Sequence, residues 1–258
     1  MEEQLQTIKG AYGSLRGIIH KPKQTSKGIV ILTHGYFTSN KLGPERLYVQ
    51  IARLFAGYGY EFWRFDSYGV GDSDGEFNES SYELRITDYK TIIELALKQH
   101  SDILILGHSM GTSIAIYLAN MYPQNIKTLF LLAPTFGKCT HIDNLIPKEI
   151  QKQLQEQGFA QRRTQWITKE FIDKMMSEEI YNEVSQCNAM QILFYGLSDE
   201  FYDKASVIRV QEHMKNHKLI EIFECDHNFL KNRDILLEKL KLQIENLAAT
   251  LQTYLFNC

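Results

Sequence analysis

The stretch ILILGHSMGTSIAIYLAN, residues 103–120, is an apolar run that enters a Gly-x-Ser-x-Gly turn and leaves it as a helical pattern. A strand that ends in this turn and continues directly as a helix is a nucleophile elbow. The pattern predicts strained backbone angles for Ser109, and Gly107 and Gly111 allow strand and helix to approach closely. The amide of Met110 would face the same space as half of an oxyanion hole. The alternative is an ordinary serine in a tight turn, so the interpretation depends on partners elsewhere in the chain.

Composition limits the classes of protein to consider. The chain has 258 residues, 44% hydrophobic and 23% charged, which suits one α/β domain with a large core, although length alone would allow two. The net charge is −3, and acidic and basic residues are interspersed along the chain without a basic patch, so we expect no nucleic acid partner. The start, MEEQLQTIKG, has no hydrophobic signal core, and no apolar run is long enough to span a bilayer. We therefore expect a cytoplasmic protein without a membrane span.

The cysteines are scattered without a CxxC pair, at Cys139, Cys187, Cys225 and Cys258. Isolated thiols are typical of a reducing compartment rather than of a disulfide framework. The loop that contains Asp72 and Asp74 lacks the distal glutamate of a calcium site, and no other metal-ligand spacing is present. We expect neither a metal nor another cofactor.

Strand and helix patterns alternate through most of the chain. Apolar runs that predict buried strands occur at residues 28–33, 61–66, 102–106, 127–133 and 191–195, followed by a last strand at 219–224. Helical patterns separate most of them, which predicts a parallel sheet flanked by helices. Two alternating segments at residues 4–9 and 14–21 predict an antiparallel hairpin at the start.

This alternation stops between residues 135 and 189. The interval contains helical patterns and polar stretches, but no strongly apolar strand. We interpret residues 135–189 as a helical lid over the carboxyl edge of the sheet. The α/β core then comprises residues 1–134 and 190–258.

Three residues with complementary chemistry directly follow predicted strands: Ser109, Asp199 and His227. The carboxyl ends of parallel strands meet at one edge, where the sites of open α/β sheets lie. A serine hydroxyl needs a base to take its proton, and the pKa of histidine suits that task. An aspartate on the far ring nitrogen fixes the tautomer and stabilises the imidazolium. Asp203 is the alternative acid, although its position at a helix start favours a cap.

Four separated motifs, spread over nearly the whole chain, resemble those of the α/β-hydrolase superfamily: His34-Gly35-Tyr36, the loop DSYGVGDSDG at 66–75, Gly107–Gly111, and Gly196-Leu197-Ser198-Asp199 with Asp226-His227. Within the superfamily the chain is similar to the small acyl esterases, including the cinnamoyl and feruloyl esterases and the monoglyceride lipases, and the loop FDSYGVGDSDG resembles theirs most. The resemblance implies the order nucleophile, acid, histidine, and a second oxyanion donor in the backbone N–H of Tyr36. His34 is then expected to bond loop backbone, because the catalytic base comes last in this order.

Together the residues and the resemblance predict a serine esterase that cleaves carboxylic esters of small to medium apolar acyl groups through an acyl-enzyme on Ser109. The side chains expected to contact the substrate are Tyr36, Phe37, Met175 and Met176. An acyltransferase or thioesterase with an acyl-thioester donor would carry the same triad. A non-catalytic binding protein would have lost a triad residue, and all three are present. A dehalogenase needs an aspartate where Ser109 stands.

An acyl-carrier partner would favour a basic rim around the entrance, and candidates for it are Lys148, Lys152, Arg162, Arg163 and Lys169. The alternative is that these charges form the solvated face of the lid.

Overall fold

An eight-stranded sheet lies at the centre of the protein, whose computed structural model describes residues 1–37, 40–137, 139–177 and 179–256. The strands of this described part are β1 (Glu2–Lys9), β2 (Ser14–Lys21), β3 (Ile29–Thr33), β4 (Glu61–Phe65), β5 (Ile103–His108), β6 (Ile126–Leu132), β7 (Phe159–Arg162), β8 (Gln165–Thr168), β9 (Met190–Gly196) and β10 (His217–Ile222). Its α-helices are α1 (Leu47–Gly57), α2 (Tyr82–Ala96), α3 (Met110–Met121), α4 (Ile142–Leu145), α5 (Lys148–Gln157), α6 (Lys169–Ser177), α7 (Tyr181–Gln186), α8 (Lys204–Gln211) and α9 (Arg233–Phe256).

The strands of the large sheet are ordered β1-β2-β4-β3-β5-β6-β9-β10. β1 and β2 form an antiparallel hairpin, and β2 is antiparallel to β4. From β4 to β10, every neighbouring pair is parallel. The mostly parallel sheet and the opening hairpin that the sequence predicts are confirmed. Because the parallel strands share one direction, the loops after β3, β5, β9 and β10 leave the sheet at the same edge.

Helices cover both faces of the sheet, so its central strands have two buried sides. In β3, Ile29 and Ile31 pack into the core that includes α2 and α3, whereas Val30 and Leu32 pack with α1 and α9. All five residues of β3 are buried. A strand with two buried faces has no exposed position for polar residues, which explains the continuous apolar runs of the sequence.

The segment between β6 and β9 is not purely helical: besides the helices that the sequence predicts, it contains two short strands that the prediction of a helical insertion did not include. β7 and β8 form an antiparallel pair within it. Each of these four-residue strands buries one apolar side chain, Ala160 in β7 and Ile167 in β8. So short an alternation leaves no apolar run to recognise in the sequence. The flanking α5 and α6 agree with the predicted helical patterns.

The cysteines of the described residues, Cys139, Cys187 and Cys225, are buried free thiols, while Cys258 lies outside the described residues. Within the described ranges, no three His, Cys, Asp or Glu side chains are arranged to hold a metal ion. In the same part of the chain, no helix combines the length and the apolarity that a membrane crossing requires.

The connection from β5 to α3 is a tight turn packed against the end of β3. Ser109 has φ 54° and ψ −128°, a strained conformation for a residue with a side chain. A Cβ atom on Gly111 would lie 1.9 Å from the carbonyl oxygen of Thr33. The Thr33 hydroxyl donates a hydrogen bond of 2.7 Å to the carbonyl oxygen of Gly111. The glycine therefore permits a contact that locks the start of α3 onto β3.

We predict that Gly111→Ala destabilises the protein by more than about 3 kcal/mol or prevents folding, because the added methyl group overlaps backbone that cannot move independently. The matched control is Gly57→Ala in α1, where an added Cβ meets no atom within 4 Å. That variant should gain roughly 0.5–1 kcal/mol, because alanine loses less backbone entropy in a helix than glycine. Urea unfolding of both variants tests the prediction, and equal stability of the two would contradict it.

Candidate active site

The side chains of Ser109, Asp199 and His227 meet at the carboxyl edge of the sheet. Ser109 stands between β5 and α3, Asp199 follows β9, and His227 follows β10. The Nε2 atom of His227 lies 2.8 Å from Ser109 Oγ, and its Nδ1 atom lies 2.7 Å from Asp199 Oδ2. The serine, imidazole and carboxylate thus form one continuous hydrogen-bonded chain.

The carboxylate of Asp199 is enclosed, with 1% of its side chain exposed. Its Oδ1 atom accepts hydrogen bonds from the amides of Phe201 at 2.9 Å and Tyr202 at 3.1 Å. Burial opposes its ionisation, but His227 and these two amides together hold the pKa of the carboxyl below its ordinary value. Asp199 is therefore a charged partner for the imidazole at neutral pH.

The other acids near this carboxylate have different contacts. Asp203 accepts a hydrogen bond of 2.7 Å from the amide of Ser206 and caps α8, as its position at a helix start predicted. Glu200 accepts a hydrogen bond of 3.0 Å from the amide of His227. Sequence reasoning missed Glu200, because an acid that bonds backbone leaves no pattern in the sequence.

His108, which directly precedes Ser109, holds the backbone of His227 in place. Its Nε2 atom lies 3.0 Å from the carbonyl oxygen of His227, and its Nδ1 atom lies 2.7 Å from the hydroxyl of Tyr48. Burial, reinforced by the neighbouring His227, lowers the pKa of His108 to about 3, so its ring is neutral. A carbonyl can only accept, hence Nε2 carries the proton and Nδ1 accepts from Tyr48. Sequence reasoning missed this role, for which the only signal was a histidine inside the elbow motif.

The peptide between Gly35 and Tyr36 is held from its carbonyl side. That oxygen lies 2.9 Å from His34 Nδ1 and accepts a hydrogen bond of 3.1 Å from Nη1 of Arg85. The His34 Nε2 atom in turn accepts from the amide of Ser67 at 3.3 Å, so Nδ1 is the protonated nitrogen. Burial lowers the pKa of His34 to about 3, and it bonds loop backbone as predicted.

The two N–H groups predicted to form an oxyanion hole are those of Tyr36 and Met110. Neither donates a hydrogen bond to another group among the described residues. Because a peptide unit is planar, the two bonds to the Gly35 carbonyl also fix the direction of the Tyr36 N–H. The Met110 N–H is fixed by its place in the first turn of α3.

Arg85 is a buried cation that sequence reasoning missed, since the pattern of α2 was interpreted only through its apolar face. Its guanidinium lies 5.4 to 5.6 Å from the ring centres of Tyr36, Phe77 and Phe171. Its Nε atom also donates to the hydroxyl of Ser80 at 3.0 Å. The aromatic rings and the hydrogen bonds together fix the guanidinium that contacts the Gly35 carbonyl.

A cavity of about 300 Å³ surrounds Ser109. Its lining includes three of the four side chains predicted to contact the substrate, Tyr36, Phe37 and Met175. Met176 lies outside the set of described lining residues and packs against the core, because successive helix residues point about 100° apart. The segment between β6 and β9 also contributes polar groups, which are Thr135, Asn144, Arg162 and Arg163. This wall of the cavity is more polar than a pocket for apolar acyl groups requires.

We predict that His34 and His108 make folding stability fall as the pH drops from about 6.5 towards 3. Their folded-state pKa values of about 3 lie below the unfolded value, so the unfolded chain binds protons that the folded chain does not. Each imidazole should contribute a slope of about 1.4 kcal/mol per pH unit in this window. His108→Gln should remove one such contribution. Denaturant unfolding between pH 4 and 7 measures the slopes, and an unchanged slope in His108→Gln would refute the assignment.

The family model described as "Serine aminopeptidase, S33" matches residues 24–170. Among curated relatives, the monoglyceride lipase of Mus musculus is 28% identical over 117 residues, which cover 44% of this chain and 37% of the relative. The monoacylglycerol lipase of Mycolicibacterium smegmatis is 28% identical over 116 residues, 44% of this chain and 40% of the relative. The mitochondrial palmitoyl-protein thioesterase ABHD10 of Rattus norvegicus is 31% identical over 137 residues, 53% of this chain and 44% of the relative. Each match thus spans less than half of the relative's own length.

Solved structures show the same fold over nearly the whole chain. Ferulic acid-bound Est1E from Butyrivibrio proteoclasticus superposes with a TM-score of 0.78 at 21% identity, covering 94% of this chain and 99% of that one. The mouse alpha/beta hydrolase domain-containing protein 10 gives a TM-score of 0.75 at 19% identity, covering 96% of this chain and 99% of that one. With a family match over more than half of its length and this fold, the chain belongs to the serine aminopeptidase S33 family of α/β-hydrolases.

Proposed function

We propose that this protein cleaves carboxylic esters through an acyl-enzyme formed on Ser109. The observation that carries the proposal is the hydrogen-bonded chain from Ser109 Oγ through His227 to Asp199, with distances of 2.8 and 2.7 Å. The lipase relatives support ester hydrolysis as the reaction class. A cavity of about 300 Å³ suits an acyl group of small to medium size.

The reaction starts with attack of Ser109 Oγ on the ester carbonyl while His227 Nε2 takes the hydroxyl proton. Asp199 holds the ring in the productive tautomer and stabilises the imidazolium. The oxyanion of the tetrahedral intermediate accepts hydrogen bonds from the N–H groups of Tyr36 and Met110, each worth about 3 kcal/mol in comparable sites. The imidazolium then gives its proton to the departing alcohol, which leaves the acyl group on Ser109. Water, activated by the same imidazole, releases the acid and restores the serine.

Residues 135–189 act in this proposal as a lid on a core formed by residues 1–134 and 190–258. The lid is built from α4 to α7 together with the β7-β8 hairpin. The lid assignment is supported by the residues of this segment that line the cavity, which include Leu145 and Met175. Phe171 of α6 also stacks on Tyr36 of the core, with ring centres 4.4 Å apart. Movement of α6 would therefore change the surroundings of the proposed oxyanion donor.

The first test is hydrolysis of p-nitrophenyl esters from acetate to long chains, beside matched acyl thioesters, by wild type and Ser109→Ala. We expect ester turnover with an optimum at short or medium chain length, and loss of at least about 10³-fold in the variant, because the nucleophile is removed. Absence of ester turnover together with acylation of Ser109 by a thioester would reject the esterase. An acyltransferase or thioesterase, with an acyl carrier as partner, would then replace it.

The acid of the triad is tested by a matched pair of substitutions. Asp199→Asn should lower kcat by roughly 10³- to 10⁴-fold, because an amide favours the wrong tautomer of His227. Asp203→Asn should change kcat by less than about twofold, since asparagine also caps helices. Steady-state kinetics on the best ester of the series gives both values. A large loss in Asp203→Asn with a small one in Asp199→Asn would reverse the assignment.

A further inference from the structure

The turn of the β7-β8 hairpin brings two arginines to the cavity that contains Ser109. Arg162 ends β7, and Arg163 follows it with a φ of 57°. Both line the cavity of about 300 Å³, as do Tyr36 and Phe37 on the side of the core. Two cations and the proposed nucleophile Ser109 thus line the same small cavity.

These arginines differ from the other basic residues of the segment between β6 and β9 that were candidates for a basic rim. Lys148, Lys152 and Lys169 form surface ion pairs with acids of the same segment, respectively Asp143, Glu156 and Asp173. Among the described residues, neither Arg162 nor Arg163 has an acidic partner. The lysines therefore fit the solvated face of the lid, whereas the arginines need another explanation.

Arg162 is held by contacts with the core, and none of the acids that the structure describes neutralises it. It is half-buried, and its guanidinium carbon lies 3.9 Å from the ring centre of Phe37. The hairpin is also tied to this loop, because Gln165 Nε2 donates a hydrogen bond of 3.2 Å to the Phe37 carbonyl. Burial and the like charge of Arg163 both lower the pKa of Arg162, which shows that the surroundings oppose its charge. A partly buried charge of this kind is stabilised when an anion joins it.

Among the described residues that line the cavity, the acidic one is Glu200, and it bonds a group other than the two arginines. Its Oε2 atom accepts a hydrogen bond of 3.0 Å from the amide of His227. It therefore belongs to the side of the cavity that carries the catalytic histidine. The hairpin side is left with two positive charges and no internal counterion among the described residues.

We propose that Arg162 and Arg163 bind an anionic group of the substrate, a carboxylate or a phosphate, while the ester carbonyl lies at Ser109. The planar guanidinium fork matches either group with two parallel hydrogen bonds, and the stacking on Phe37 orients the fork before binding. The inference rests on the proposed esterase function and replaces a wholly apolar acyl group with a substrate that has a charged end. The anion can belong to the acyl part or to the alcohol part of the ester.

The test compares esters that are matched in length and differ in charge. For the acyl part, the pair is the mono-p-nitrophenyl ester of adipic acid and p-nitrophenyl hexanoate. For the alcohol part, it is 1-hexanoylglycerol 3-phosphate and 1-hexanoylglycerol. We expect wild type to favour the anionic ester of one pair by at least tenfold in kcat/KM. The pair that shows the preference identifies which part of the substrate carries the charge.

Arg162→Gln and Arg163→Gln should lower kcat/KM for that anionic ester by about 10- to 100-fold, the size of a lost desolvated charge contact, and change the neutral ester less than threefold. Lys152→Gln is the matched control, since this lysine pairs with Glu156 on the surface, and it should leave both esters unchanged. The proposal is overturned if wild type prefers the neutral ester of both pairs, or if the arginine variants lose activity equally on neutral and anionic esters.

Binding separates this proposal from the esterase function itself. Calorimetry on Ser109→Ala protein measures the affinity for adipate and glycerol 3-phosphate, with hexanamide and glycerol as uncharged controls. Affinity for one dianion that falls at least tenfold on adding Arg162→Gln supports the anion site even if no ester is hydrolysed. Failure to bind either dianion rejects the anion site even if neutral esters are cleaved.

Discussion

The contact between Gly111 and the Thr33 carbonyl is the constraint on which the geometry of the site depends. It lets α3 begin directly beside the end of β3, where any side chain would lie 1.9 Å from that oxygen. Since Ser109 and Met110 start α3 and the loop with Tyr36 continues β3, the contact sets the separation of the proposed nucleophile and the two proposed oxyanion donors. The strained angles of Ser109 are kept because the neighbouring β-strands overdetermine the turn.

Buried polar side chains hold the remaining loops relative to this turn. His108 bonds the carbonyl of His227, and His34 and Arg85 bond the carbonyl of Gly35. The first bond positions the backbone of His227, and the other two position the peptide that carries the Tyr36 N–H. Neutral imidazoles suit this role, because one nitrogen donates to the carbonyl while the other accepts from a neighbouring group. Their low pKa values are the consequence of burial and of nearby positive charge, which outweigh the opposite effect of the bonds to the carbonyls, and both rings are therefore neutral.

The sequence was sufficient to predict the sheet and to bring together three side chains of the candidate site. Ser109, Asp199 and His227 could be brought together because each follows an apolar run, and parallel strands end at one edge. The hairpin was missed because its strands are four residues long and bury one side chain each. The roles of His108 and Arg85 depend on contacts with residues far away in the sequence. A single polar residue does not produce a repeating pattern, so the sequence alone could not indicate these contacts.

The hairpin contrasts with the core in how its residues are constrained. The proposed triad and its supporting histidines are tied to strand ends, where a small displacement would break several buried hydrogen bonds at once. Arg162 and Arg163 stand on a two-stranded turn that meets the core through Phe37 and Gln165. A substitution in this turn changes the charge of the cavity while the bonds within the triad remain intact. In the function proposed here, the fold separates reaction from recognition: the sheet positions Ser109, and the segment between β6 and β9 supplies the charged groups that would select among esters.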